Sequence, residues 1–330
     1  MATPFENEHP ELFHYTGIGG LTGILETQML WASHACYLND AMELKAFKEI
    51  LPSILRPMVE NFIAESVKVP ANQSLIEQRG GSAKVIVELM TDIANGMYNA
   101  LLGTSDIQAF RENYVLSFCS PENNYIAQHG LLSQWRGYGQ DGGYAIVFDT
   151  ARFDKLLEQE KDRWAYDLFG DKVLYSDDEI RRKLCEDLNT LSDCFSKYLM
   201  TGNQQFLEGV VYPLLKCACL YKHRGFYEER EVRVIASLPN KEVFETLKVK
   251  CPDAKEKERR HFVRRGTPVP CVHLFDGITE RTTNPLPITR IIVGPHRDKD
   301  IRRHAVENLL KQYQLNIPVV MSEIPYVGGF

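Results

Sequence analysis

Apolar residues recur at every second position in several short stretches of the chain and at every third or fourth in longer ones, so strands and helices are both predicted. Residues 12–16 predict a short buried strand carrying His14. Gly17 ends it, and Ile18, Leu21, Ile24 and Leu25 open a helix toward residue 30. Residues 31–40 show no clear period and predict a loop. That loop either wraps a binding site with Trp31 or leads into the next helix through an Asn39 and Asp40 cap. Helical spacing over 42–55, 74–89 and 92–102, broken by Pro52, Pro57, Pro70, Gly80 and Gly81, predicts a helical insertion over about 41–112. Strands are predicted at 113–120 and 143–149, a second helical insertion over about 177–221, and a strand near 230–236. A polar and basic segment, 241–266, precedes a strand at 270–275. The chain closes on strand 288–293, a Gly294 and Pro295 turn, helix 298–313 with Ile301, Ala305, Leu309 and Leu310 inward, and strand 317–321, a βαβ unit. Its turn reads as structural, with anion contact by Gly294, His296 and Arg297 as the alternative. No internal repeat or low-complexity tract interrupts these elements.

These elements predict an α+β fold whose core is a split, mixed sheet decorated by the two helical insertions. Candidate site residues lie at 14, 135 and 231, so the chain is expected to return to one place and to form one domain over 1–330.

With 330 residues, 44% hydrophobic and 25% charged, the chain can bury a large core. A formal net charge of −6 argues against bulk electrostatic retention on nucleic acid or anionic membrane, although the basic cluster at 255–265 leaves room for a local groove. The polar first ten residues do not resemble a secretory signal, and no apolar run approaches the ~18 residues of a membrane span, so a cytoplasmic protein is expected. Eight scattered cysteines read as reduced core residues. Cys217 and Cys219 stand without a second pair at ligand spacing, so no metal site is assigned.

Candidate chemistry concentrates in two segments. In residues 226–235, strand periodicity places Glu229, Glu231 and Arg233 on one face. Clustered carboxylates raise the pKa of at least one of them and suit it to polarise a hydroxyl or stabilise a developing cation, while the plainer reading is an edge strand charged against aggregation. In residues 132–144, Trp135, Arg136 and Tyr138 precede a glycine-rich loop. Aromatic faces with a guanidinium can sandwich a flat heterocycle and hold a phosphate; the plainer reading is core aromatics with a structural arginine.

Phe13 to Thr16, Trp31 to Ser33, Tyr37 to Asp40, Leu116 to Ser120, Trp135 to Tyr138, Glu229 to Arg233, Ile291 to Pro295 and Ser322 to Pro325, in that order, resemble a widespread bacterial family known as domain of unknown function 2971. The likeness runs from residue 12 to 326. Members of that family look like distant relatives of ADP-ribosyltransferases, including toxins and phage-defence effectors that use NAD. The resemblance implies an ADP-ribosyltransferase-like fold with NAD as cofactor and substrate. It assigns catalytic roles to Glu231, Glu229 and Tyr138, and NAD contacts to His14, Tyr15, Thr16, Ser117, Trp135, Arg136 and Arg233. His14 is what a His-Tyr-Glu class carries and the Glu-x-Glu pair what an Arg-Ser-Glu class carries, so the chain matches neither pattern completely. The implied function is ADP-ribosyl transfer to a protein, RNA or DNA, with NAD hydrolysis or a non-catalytic nucleotide- or protein-binding module as alternatives; apart from the resemblance, Glu229, Glu231 and His14 also leave a nuclease dependent on Mg2+ or Mn2+ as a third reading. An antitoxin or a second copy of the chain is an expected partner through the helical insertions.

Overall fold

The structure is a computed structural model that describes residues 7–38, 42–102, 111–138, 143–164, 166–264 and 266–325. The Asn39 and Asp40 cap, the glycine-rich loop at 139–142 and Arg265 of the basic cluster lie outside the described residues. The protein is α+β. Ten strands form one mixed sheet: β1 (Glu11–Thr16), β2 (Leu30–His34), β3 (Arg111–Cys119), β4 (Tyr144–Asp149), β5 (Asp167–Lys172), β6 (Glu231–Pro239), β7 (Arg259–Arg264), β8 (Thr267–Leu274), β9 (Ile288–Val293) and β10 (Val319–Met321). The path β10-β9-β4-β1-β3-β2-β8-β7 carries a branch, because β6 also pairs with β3 and β5 with β6. Only β9 and β10 run parallel, joined by a helix over Lys299–Gln312 as the βαβ pattern requires.

The branch shapes the molecule. Along one edge β3 pairs with β6 through nine residues, from Arg111↔Pro239 to Cys119↔Glu231. Its other edge is shared: β2 takes one end at Ser33↔Val115 and His34↔Tyr114, and β1 takes the other at Phe13↔Cys119. Leu116, Ser117 and Phe118 therefore face a fork between β1 and β2.

Strand alternation sorts the side chains onto two faces. Leu12, Leu116, Phe118, Val232, Val234 and Ala236 join one continuous core with helices α1 (Ile18–Thr27) and Thr150–Arg163. The opposite face carries two separate clusters. Val115 and Ile235 pack beneath the helical insertions, α2 (Met42–Ser66), α3 (Pro70–Gln78), α4 (Ser82–Leu102) and the three helices over Asp177–Cys185, Leu188–Thr201 and Glu208–Leu220. Phe13, Tyr15, Cys119, Ala145 and Val147 pack instead on Trp135, from the short helix Leu132–Tyr138. A seam remains between the two clusters.

Several expectations change here. Residues 30–34 form a strand rather than a loop, because Leu30 and Ala32 enter the core while Trp31 and Ser33 face the other way. Helix α2 runs unbroken through Pro52 and Pro57: its stripe of Phe47, Leu51, Ile54, Leu55, Val59 and Ile63 is buried, and that burial offsets the lost backbone bonds. In the last helix Val306 and Leu310 are buried, whereas Ile301 and Ala305 are exposed. Glu229 lies on a 3-10 turn (Arg224–Glu229) ahead of β6, not on the strand itself. All eight cysteines are free, but Cys185 and Cys251 are exposed and Cys36 and Cys194 half-buried, so only four belong to the core. Among the described residues, no helix is long and apolar enough to cross a membrane.

Candidate functional site

A cleft of about 160 Å3 opens at the fork and seam, lined from β1, β2, β3 and the start of β6. Its floor is a buried ion network. Arg233 donates through Nε to Glu231 Oε1 at 2.7 Å and through Nη2 to Glu43 Oε2 at 2.8 Å, and its Nη1 donates to the carbonyl of Cys219 at 2.7 Å. Lys222 donates to Glu231 Oε2 at 2.8 Å and to Glu229 Oε2 at 2.6 Å. The hydroxyl of Tyr175 accepts from the Glu231 backbone N–H at 2.9 Å.

The backbone makes this convergence possible. Lys222 follows the apolar helix ending at Leu220, the 3-10 turn loops outward, and Arg230 adopts a left-handed conformation at φ 43°. Such a conformation costs a non-glycine residue about 1 kcal/mol, and here it lets Glu229 and Glu231 reach the same ammonium.

Three carboxylates face two cations, so the fully ionised network carries one surplus negative charge. Burial pushes the Glu231 carboxyl up, but Arg233 and Lys222 outweigh it and hold the group at about 2, fully ionised. For Glu43 and Glu229 burial prevails over the neighbouring cations, and both pKa values lie above the ordinary carboxylate value. Glu229 is the more accessible of the Lys222-bound pair, with 13% of its side chain exposed against 5% for Glu231. Lys222 and Arg233 occupy the space between the three carboxylates, leaving it filled by cationic side chains rather than open to a metal ion.

His14 reaches the cleft from a different direction. Alternation sends its side chain to the Leu12 face, opposite to Glu231, and Nδ1 lies 3.1 Å from the Ser117 carbonyl across the fork. A carbonyl only accepts, so Nδ1 carries the proton. Burial lowers the pKa of the imidazole and keeps it neutral. Tyr15, on the Glu231 face, accepts from the Leu131 N–H at 2.8 Å and meets Trp135 edge-on at 4.9 Å.

The residues implied by the resemblance separate accordingly. His14, Tyr15, Ser117, Tyr138, Glu229, Glu231 and Arg233 all line the cleft. Trp135, Arg136 and Thr16 do not. Trp135 is a core residue, 1% exposed, and its indole N–H donates to the His129 carbonyl at 2.9 Å. Gly130 and Gly294 accommodate this ring, since a Cβ at either position would stand under 3 Å from it. Gly294 thus has a packing role, in keeping with the structural reading of its turn. Arg136 is exposed outside the cleft, and the Thr16 hydroxyl occupies the space beside Gly20. Arg233 lines the cleft with its guanidinium engaged by protein oxygens, which removes it as a ready phosphate ligand.

Glu43 and Lys222, which carried no expectation, also line the cleft, as do Ser33 of the Trp31–Ser33 motif and Arg264 of the basic cluster. Glu43 is 190 positions from Arg233 and had no local signal. Lys222 had one: a lysine just past an apolar helix, followed within nine residues by Glu228, Glu229 and Glu231.

Residues 134–234 match the family described as Protein of unknown function (DUF2971). That segment contains Lys222, Glu229, Glu231 and Arg233 but neither His14 nor Ser117, and it is narrower than the 12–326 span of the resemblance. No curated protein matches the chain, and no solved structure does.

Proposed function

We propose that the cleft binds NAD by its nicotinamide riboside end and that the protein is an ADP-ribosyltransferase-like enzyme acting on a macromolecular acceptor. The carrying observation is the composition of the ion network at the cleft floor, where three carboxylates, Glu43, Glu229 and Glu231, share two cations, Lys222 and Arg233. Breaking the bond between ribose C1′ and the nicotinamide nitrogen sends the electron pair to nicotinamide, which leaves neutral, and puts positive charge on the ribose. A fixed, ionised Glu231 stabilises that charge without reorganising. Glu229, more accessible and with a raised pKa, takes the proton of the acceptor hydroxyl or amine as the new bond to C1′ forms. With water in that place, the product is free ADP-ribose. The cleft volume is below the roughly 300–1,000 Å3 of sites for drug-sized ligands, so it suits one end of NAD, with the remainder over the rim near Tyr138 and Arg264.

One observation favours a second reading, a non-catalytic binding module. The donors of Arg233 and Lys222 are turned inward onto protein oxygens, as in a network whose task is to fasten α2 to the sheet.

The test is nicotinamide release from NAD by purified protein, with and without protein or RNA acceptors, comparing wild type with Glu229→Gln and Glu231→Gln. Release that falls by about 100-fold or more in folded Glu229→Gln supports the enzyme. Folded wild type that releases none with any acceptor, yet binds NAD equally well in both variants, supports the module.

A further inference from the structure

The face that carries Glu231 continues past the cleft to β7, the last strand of the sheet among the described residues. Ser33 pairs with Val115 on one side and Cys271 on the other, and Cys271 pairs with Arg260 of β7, the last strand. By alternation, Trp31 on β2, His273 on β8, and Arg260, Phe262 and Arg264 on β7 all project from this face. Trp31 stacks on His273 with ring centroids 5.2 Å apart and planes within 7°, and Phe262 lies 5.8 Å from Trp31 on a tilt. The Arg264 guanidinium sits 6.0 Å from the Phe262 ring, and Arg260 Nη1 is 3.4 Å from His273 Nδ1. Burial and Arg260 lower the pKa of His273, so it offers a neutral flat ring. Trp31 and Arg264 also line the cleft, which makes the two surfaces continuous.

We infer that this face binds single-stranded nucleic acid and leads it to the cleft. Rings interleaved with guanidiniums serve a strand because each nucleotide brings both a π-face and a phosphate. The row crosses two inter-strand spacings, about 10 Å, and ends at β7, the last strand of the sheet among the described residues. A single adenosine group would use only part of it. Duplex bases stay stacked and cannot reach a flat face of this kind. The ion pair that Arg260 makes with Glu258 is exposed, 40% and 67%, and exchanges readily for phosphate. The molecule as a whole is acidic, so binding depends on this local pattern and on salt. The role of the strand as acceptor rests on the NAD reading; its binding does not.

The experiment is fluorescence anisotropy with short labelled single-stranded RNA, single-stranded DNA and duplex, at low and near-physiological salt, on the full chain. Single strands are expected to bind about tenfold tighter than duplex, and the RNA and DNA arms report which sugar is preferred. Phe262→Ala should weaken binding about tenfold. Arg260→Glu, at an exposed position where folding is not at stake, should weaken it and flatten its salt dependence. No strand binding at low salt, equal binding of duplex, or unchanged binding by Arg260→Glu overturns the inference. Nicotinamide release is read on the same protein. Release without strand binding leaves the NAD reading standing alone, and strand binding without release leaves this inference standing alone.

Discussion

Two buried ion networks lie on opposite sides of the sheet. In the first core, Glu160 is fully buried; its Oε1 accepts from Lys257 at 2.5 Å and from the Tyr166 hydroxyl at 2.7 Å, and its Oε2 accepts from the Phe275 N–H at 3.0 Å. Lys257 also sits 4.2 Å from the Trp164 ring. One carboxylate meets one ammonium, and the site is closed. At the cleft, three carboxylates meet two cations, and the network opens on a cavity. A balanced, enclosed pair fastens segments together. An unbalanced one with an open side does that as well, and keeps a carboxylate whose charge a ligand can use.

Arg233→Met should break this comparison most severely. It leaves Glu231 and Glu43 buried without a shared cation, and removal of one partner from such a pair costs ~3–5 kcal/mol. Chemical denaturation is expected to show a large loss of stability or failure to fold. Stability close to wild type would mean that water already reaches the network.

Lys257→Met comes next, at about 3 kcal/mol in the same measurement, because Glu160 keeps its tyrosine and backbone donors. Nicotinamide release per folded molecule should not change. A parallel loss of release would erase the functional distinction between the two sites.

The comparison also shows what was legible in the chain. Strands β1, β3, β4 and β9 and the last βαβ unit were readable because each has its own apolar period within a short window. Glu231 was readable from its alternation with Arg233 at the start of a strand that turns apolar over Val234–Ala236. The fork was not, since it depends on β1 and β2 sharing one edge of β3, a relation between residues about 100 positions apart. Strand β2 was hidden because its two core residues, Leu30 and Ala32, are too few to set a period. Strand β7 is half-exposed and rich in arginine, so it read as a polar segment. Glu43 and Glu160 sit on helical faces where glutamate is common, and only tertiary packing distinguishes them.

The pH dependence of stability should sharpen the contrast further. Glu231 has a folded pKa near 2, below the ordinary 4.5, so its contribution is fully present above about pH 4.5 and is lost as the pH falls toward 2. Wild type should therefore lose stability steeply across that window. Glu231→Gln, already less stable at neutral pH, should show a shallower acid slope. Equal slopes in urea titrations at several pH values would mean that the ion pairs contribute nothing in that range.

Glu229→Gln is the smallest expected effect on stability and the most decisive for the comparison. The folded pKa of Glu229 lies above its unfolded value, so its contribution is present below about pH 4.5 and fades as the pH rises through the folded pKa. Burial disfavours the Glu229 carboxylate and Lys222 favours it, so the two effects oppose each other and the amide should shift stability by less than about 1 kcal/mol. Lys222 keeps Glu231 as its partner. A variant this stable that also loses nicotinamide release identifies Glu229 as the carboxylate the fold does not need for itself. A variant that loses several kcal/mol instead places Glu229 with Glu160, among the residues that only hold the molecule together.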